Sequence, residues 1–354
     1  MPSPLDEALA ALKSASPLQR QQAAQTLAQH PSPAASAALI EALDDAQAQV
    51  REAVVDALCR QHPADSLGLL AARLHGEHPG RRNAAHGVLI EIGVRTPEIL
   101  MQALEDPAAG VRQAAAEVLG NLRLPAAVEG LAARLCHPGE TIAVRQAAAQ
   151  ALGRIGDRAA TPALIAAATD EAAEIRLTAI QALGRLDDER AVQPLLDVMQ
   201  RDLGNLHIVI EALGNLGRPE AVAPLASLLA AQPQDQQLGA TALEALVKII
   251  IEPESRQSET SARLAAAREL VPTGPLLNAL QAHAAPGNAY AAHLLGWLRP
   301  PEAVPQLVAA LGSLDDPVLR DAATEAILRY GGAAVGALMA ALSHPAPAVR
   351  ESAA

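Results

Sequence analysis

One phrase recurs along the chain and leaves little choice of fold. It reads VRQAAAEVLGNL at 111–122, VRQAAAQALGRI at 144–155 and IRLTAIQALGRL at 175–186, with a weaker copy ending EALGNL at 211–216. In the first copy Val111, Ala115, Val118, Leu119 and Leu122 fall at i, i+4, i+7, i+8 and i+11, which is one stripe of an α-helix. Arg112, Gln113, Glu117 and Asn121 take the other side, and alanine, the best helix former, fills much of the rest. Gly120, near the C-terminal end, lacks a side chain where a neighbouring backbone can approach. A second apolar set, Val128, Leu131 and Leu135, follows a short turn, and then the phrase restarts.

The copies align on the arginine of the VR pair. Arg20, Arg51, Arg82, Arg112, Arg145 and Arg176 fill the slot; Leu206, Gly239 and Asn288 hold it in degenerate copies; Arg320 and Arg350 restore it. Steps are 30 to 33 residues, except one of 49 between Gly239 and Asn288. Each ordinary step holds one helical hairpin, which cannot bury its stripe without stacked neighbours. The reading is therefore all-α, a right-handed α-solenoid (superhelix) of about ten hairpins. The paired helices are 5–13 with 18–29, 35–43 with 50–60, 64–74 with 81–92, 97–104 with 111–122, and 125–135 with 144–155. They continue as 159–168 with 175–186, 189–200 with 205–216, 219–230 with 237–251, 274–283 with 288–298, and 302–311 with 318–330. An incomplete unit starts near 333. Composition agrees: half the residues are apolar, yet there is no Phe and one Trp, which suits thin Ala/Leu interfaces better than a single large core.

The organisation follows as eight hairpins over 1–251, an insertion at 252–272, and further hairpins over 273–354. Within the insertion Pro253 ends the preceding helix, and Glu252, Glu254, Ser255, Ser258, Glu259 and Ser261 are too polar to bury. Residues 262–270 suit a short extra helix. A mobile protrusion is expected there, with Trp297 nearby as an apolar contact for a partner. After Arg350 only ESAA remains, without the LG pair due eight residues on, so a fragment of a longer protein is expected.

Three features together resemble the HEAT repeat. Proline sits early in first helices (Pro97, Pro162, Pro194, Pro224, Pro275, Pro305); aspartate precedes the slot arginine by six residues in Asp45/Arg51, Asp106/Arg112 and Asp170/Arg176; and 144–156 reads VRxxAAxALGxxG. That wording is similar to the subclass first described in phycobilisome bilin lyases. The resemblance implies that Asp45, Arg51, Asp106, Arg112, Arg145, Asp170, Arg176 and Arg320 join a ladder of hydrogen-bonded ion pairs along the inter-helix turns. It implies a break where Leu206, Gly239 and Asn288 replace arginine, with irregular packing between about 200 and 300. It also implies that second helices line the concave face.

Catalytic signals are weak. There is no His-Glu dipeptide, GxSxG, P-loop or CxxC. His75, Glu77, His78 and His86 have divalent-ion chemistry but match no standard helical spacing, so no metal and no cofactor is expected. Five His-Pro dipeptides, starting at His30, His62, His78, His137 and His344, read as helix stops in turns. Net charge of −12 and the scarcity of aromatics argue against a nucleic-acid partner, and no apolar run is long enough to span a bilayer. Cys59 and Cys136 lie in different repeats and fit a reducing, cytoplasmic setting.

What remains is a protein-binding scaffold. The residue after the slot, and the one four further on, face outward on the second helix: Gln21/Gln25, Glu52/Asp56, Asn83/Gly87, Gln113/Glu117, Gln146/Gln150, Leu177/Gln181, His207/Glu211, Ala240/Glu244, Ala289/His293 and Asp321/Glu325. This column carries seven carboxylates and no Lys or Arg, so an acidic groove and a partner with a basic segment are expected. A basic row, Arg60, Arg154, Arg185, Lys248 and Arg329, falls in the last turn of second helices, where it complements helix dipoles. The alternative is a bilin-lyase-like or chaperone-like subunit acting on a partner protein.

Overall fold

A computed structural model of the chain describes residues 3–61, 63–74, 79–201, 205–231, 235–251, 257–281, 287–313 and 315–354; at 63–65, 79–81 and 257–263 only the backbone is described. Among the described residues all regular structure is helical. The chain divides into two compact units, Met1–Ala182 and Leu183–Ala354.

In the first unit the hairpins pair Pro4–Ala11 with Pro17–Leu27, Pro33–Glu41 with Ala48–Arg60, and Pro63–Leu74 with Pro79–Arg95. Pro97–Ala103 then pairs with Ala109–Asn121, and Val128–Cys136 with Ile142–Ile155. The second unit pairs Val192–Arg201 with Leu206–Leu216, Val222–Ala231 with Gln236–Ile250, Thr273–Gln281 with Asn288–Leu298, and Val304–Ala310 with Pro317–Tyr330. Val335–Ala341 and Pro347–Ala353 follow. Within each unit second helices pack on the second helices of adjacent hairpins, and first helices on first helices. The repeat stack read from the sequence is the fold.

The stripe residues are the core. Leu119, Leu131, Leu135, Leu152 and Leu164 are fully buried, and so are Ala116, Ala148, Ala149 and Ala151. Each buried leucine contributes about 1.5–3 kcal/mol, while the alanines let helices approach without large side chains between them. The closest approach lies at the LG glycines. A Cβ on Gly120 would sit 2.6 Å from the Ala151 Cα, and one on Gly153 2.9 Å from the Ala182 Cα. In the second unit Gly184 meets Ala212 at 2.8 Å, Gly214 meets Ala245 at 2.9 Å and Gly296 meets Ala326 at 2.6 Å. The packing expected to become irregular between 200 and 300 therefore continues: glycine still meets alanine where the arginine slot is degenerate.

The junctions between hairpins share a second constraint. Arg123, Gly156, Asp187, Gly217, Arg299 and Gly331 all have positive φ, and all stand eleven residues after the slot. This left-handed residue ends the second helix. A short 3₁₀ turn commonly follows, as at Pro125–Ala127, Glu189–Ala191 and Pro301–Ala303, and the first helix starts after it. Several first helices read from the sequence, among them 125–135, 189–200 and 302–311, are thus a 3₁₀ turn followed by a shorter α-helix. Pro97, Pro162, Pro194, Pro224, Pro275 and Pro305 fall in the first turn of the α-helix itself, where the missing N–H has no intrahelical partner to lose.

One helix is extra. Gln257–Leu270 packs against Val222–Ala231, Gln236–Ile250 and Asn288–Leu298, and it begins five residues before the expected 262. Residues 252–256, including Glu252, Pro253, Glu254 and Ser255 of the expected protrusion, lie outside the described residues. No described helix is long and apolar enough to cross a membrane.

Candidate protein-binding face of the second helices

The turns that present the second helices are built by the slot arginines in two ways. Several hold their own turns through backbone carbonyls: Arg51 Nη1 donates to Asp45 O at 2.7 Å, Arg112 Nη1 to Asp106 O at 2.7 Å, and Arg176 Nη1 to Asp170 O at 2.8 Å. The aspartate of that turn accepts the amide two residues on, as Asp106 Oδ1 does from Ala108 N at 2.8 Å, which starts the helix. Across repeats the arginine binds the carboxylate of the next turn. Arg20 pairs with Asp45 at 2.6 and 2.9 Å, Arg145 pairs with Asp170, and Arg112 pairs with Glu140 at 2.6 and 2.7 Å. Hydrogen bonds from these guanidiniums hold the carboxyls of Asp45, Glu140 and Asp170 below their ordinary values. Arg320 is half-buried, and its N–H donates to Asp316 O at 3.1 Å as an ordinary helical bond.

Substitutes for the repeat's aspartate and arginine were hidden in the sequence. Glu140 takes the aspartate's place one residue nearer the slot, its extra methylene making up the reach. His137 and His344 replace aspartate by chemistry: their Nδ1 atoms accept from Gly139 N at 3.1 Å and Ala346 N at 3.2 Å. Arg350 Nη1 still donates to His344 O at 2.8 Å. Asn288, read as a break, donates from Nδ2 to Asp316 Oδ2 at 3.1 Å and keeps an uncharged rung. Those histidine–proline turns are structural.

The outward columns are more mixed than expected. Glu52, Gln181, His207 and Glu211 are exposed; Asp56, Gln113, Glu117, Gln146, Gln150 and Glu244 are half-buried. Gln113 Nε2 donates to Glu117 at 2.9 Å, and Gln146 reaches Thr178 at 3.5 Å. Ala240, placed outward by the slot alignment, is buried, because the backbone at Gly287 lies on it: a Cβ there would be 3.1 Å from the Ala240 Cα. The basic row does not merely complement helix ends. Arg60 pairs with Asp56 at 2.9 Å, Lys248 with Glu244 at 2.8 Å and Arg329 with Glu325 at 3.5 Å, each one turn along the same helix. Arg95 adds a second cation to Asp56 at 3.4 Å. The face carries paired acidic and basic rows rather than an unbroken acidic one.

Side chains of the last turn also link neighbouring hairpins. Arg154 donates to Asn121 at 2.9 Å and Lys248 to Asn215 at 3.2 Å, while Arg329 lies over the ring of half-buried Trp297 at 4.5 Å. Trp297 is thus engaged by its neighbour on the second-helix face. His86 contacts Asn121 at 2.8 Å; His75, Glu77 and His78 of the same candidate metal set lie outside the described residues. Burial pushes the Cys59 thiol up to about 11, which keeps it protonated and unreactive at neutral pH.

The structure brings three of the candidate residues together. His207, Glu211 and Glu244 line a cavity of about 380 Å³ between Leu206–Leu216 and Gln236–Ile250, with Gln237, Thr241, Ala245 and Lys248 completing its wall. Among them Glu244 has a cation partner on its own helix, whereas Glu211 has no ion pair among the described residues. Most of the residues that line the cavity are polar.

Residues 5–90, 138–206 and 273–354 match the family model described as HEAT repeats, and 206–231 match the PBS lyase HEAT-like repeat. The second match spans one hairpin. Among solved structures, an engineered protein from a structural-genomics consortium is similar over 99% of this chain and 97% of its own, with a TM-score of 0.54 at 19% identity. A structure of Kap95p binding RanGDP is similar over 94% of this chain and 52% of that one, with a TM-score of 0.56 at 11% identity. At these identities the likeness concerns the fold. The curated proteins contain no significant match.

Proposed function

Because the chain belongs to the HEAT-repeat family, we propose that it is a non-catalytic scaffold that binds a protein or peptide on the face of its second helices. The observation that carries this reading is the cavity lined by His207, Glu211 and Glu244. Its lining side chains belong to two adjacent second helices, Leu206–Leu216 and Gln236–Ile250. Kap95p, which shares the fold, binds RanGDP. That supports a protein as the class of partner here.

The partner presents an extended or helical segment with Lys or Arg. Glu52 and Glu211 are exposed carboxylates with no cation bound to them among the described residues, so a basic side chain meets them without displacing a partner. The neighbouring pairs Asp56–Arg60 and Glu244–Lys248 add registry, since they offer both signs of charge one turn apart. Long-range attraction then sets the association rate, with screening lengths of about 10 Å at 0.1 M salt and about 3 Å at 1 M.

The test captures partners on the immobilised chain and maps contacts by crosslinking and mass spectrometry. The captured partner is then compared on native chain and on the variant Glu52→Gln, Glu117→Gln, Glu211→Gln. These positions lie outside the core, so each change alters stability by about 0.5 kcal/mol or less. Crosslinks on second helices, slower association to the variant and a flatter salt dependence are expected. Crosslinks confined to first helices, with unchanged kinetics and salt dependence, would remove this face from consideration.

A further inference from the structure

A second cavity, of about 670 Å³, opens in the Leu183–Ala354 unit, where the extra helix meets the junctions between hairpins. Its walls include Arg268, Leu298, Arg299, Val304, Pro305 and Tyr330. Arg268 comes from the helix Gln257–Leu270, and Arg299 is the left-handed residue that ends Asn288–Leu298, with φ of 54°. The two cations therefore arrive from separate elements and converge by tertiary packing.

Each arginine spends part of its guanidinium on a backbone carbonyl. Arg268 Nε donates to Leu298 O at 3.1 Å, and Arg299 Nη1 donates to Arg329 O at 3.4 Å. Complementing helix ends accounts for those bonds. It leaves most of the five donors of each guanidinium unused. No carboxylate pairs with either among the described residues, in a chain with 39 acidic and 27 basic side chains. Tyr330 adds no donor for a ligand, because its hydroxyl already faces Pro300 O at 2.8 Å and Leu295 O at 3.2 Å. It supplies an aromatic wall. Leu298, Val304 and Pro305 supply an aliphatic one.

We infer that this cavity binds a small organic oxyanion, a carboxylate or phosphate carried on an apolar body. Paired guanidinium forks match the geometry of such oxyanions, and the volume falls in the range that encloses a small molecule. The site lies apart from the second-helix columns, so it stands or falls independently of the scaffold reading.

The test is calorimetric titration of the full chain with octanoate, octyl phosphate and octanol, each below its aggregation threshold. Arg299→Gly suits the positive φ and removes the side chain without straining the helix end. Arg268→Gln, at an exposed position, removes the charge and the guanidinium fork while keeping a polar side chain. Binding of at least one anion, no binding of octanol, and at least tenfold weaker binding to the doubly substituted chain are expected. Which anion binds identifies the head group. Binding of neither anion, equal binding of octanol, or undiminished binding to a doubly substituted chain with native circular dichroism would overturn the assignment.

Discussion

Gly120→Ala isolates the contact that sets the spacing of the stack. The added methyl would lie 2.6 Å from the Ala151 Cα and 2.7 Å from its Cβ. Ordinary carbon contacts are about 3.5–4.0 Å, so Ala109–Asn121 and Ile142–Ile155 must part by about 1 Å at that point. Overpacking of this kind costs about 1–3 kcal/mol. Alanine returns about 0.5–1 kcal/mol through helix propensity, which leaves a net loss of about 0.5–2 kcal/mol. In a cooperative unit the size of Met1–Ala182, that lowers the melting temperature by about 1–8 °C.

Gly87→Ala is the matched control. It is the same chemical change inside a helix, on an exposed position with nothing within 4 Å of the new methyl. Only the propensity gain acts, so the chain gains about 0.5–1 kcal/mol. Opposite signs for the two changes are the result to look for in thermal and urea melts. Ala151→Gly added to Gly120→Ala does not restore the parent's stability, because the contact with the Ala151 Cα remains and the new glycine costs about 0.5–1 kcal/mol of helix propensity. A Gly120→Ala chain as stable as its parent would refute the idea that glycine is needed there for close approach.

The junction residues behave oppositely to one another. Gly156→Ala, at φ of 75° with open space around the new methyl, loses about 1–2 kcal/mol through backbone strain alone, whereas Arg123→Gly, at φ of 51°, gains about 0.5 kcal/mol; chemical denaturation reads both. The rungs give a pH dependence. Asp45, Glu140 and Asp170 have carboxyls lowered by Arg20, Arg112 and Arg145, so their stabilisation is fully present above the ordinary carboxylate range and is lost as pH falls through the lowered folded values. Melts taken from pH 6 down to about pH 3 lose stability steeply in the native chain, and the combined Asp45→Asn, Glu140→Gln, Asp170→Asn chain starts lower with a shallower acid limb. An unchanged slope would mean that other carboxylates control acid unfolding.

The helices and their order were readable because period and stripe are properties of the apolar residues, which packing within each unit then uses directly. Val111, Ala115, Val118 and Leu119 are all buried. The direction of the rungs was not readable. Asp45 and Arg51 are neighbours in sequence, yet the carboxylate of Asp45 goes back to Arg20, and only its carbonyl goes to Arg51. Spacing cannot distinguish a side-chain partner from a backbone one. His344 and Asn288 were missed for a related reason: an imidazole nitrogen or a neutral amide meets the same geometric need as a carboxylate or guanidinium, so the residue type changes while the hydrogen bond persists. The acidic column failed differently. Counting outward positions leaves out the cation one turn further along, and Asp56, Glu244 and Glu325 each have one. Ala240 failed because the backbone at Gly287 packs directly on it, a contact between distant segments that slot alignment does not count.

The constraints that recur in this chain all act near the backbone. Gly120 against Ala151, the positive φ of Gly156 or Arg123, and the hold of Arg112 on the carbonyl of Asp106 concern how one hairpin meets the next. None of them reaches the outer half of a second helix. Glu52, Gln181 and Glu211, all exposed, can therefore change with little effect on the stack. The same separation explains why fold and function differ in legibility: repetition marks what must be the same in every hairpin, while recognition depends on what differs between them. The departures from the repeat follow this logic. The cavity at Glu211 and Glu244 lies where Leu206 and Gly239 have already left the arginine slot, and the cavity at Arg268 and Arg299 lies where an extra helix breaks the period. Both candidate sites occupy places where the chain has relaxed its repeating constraint.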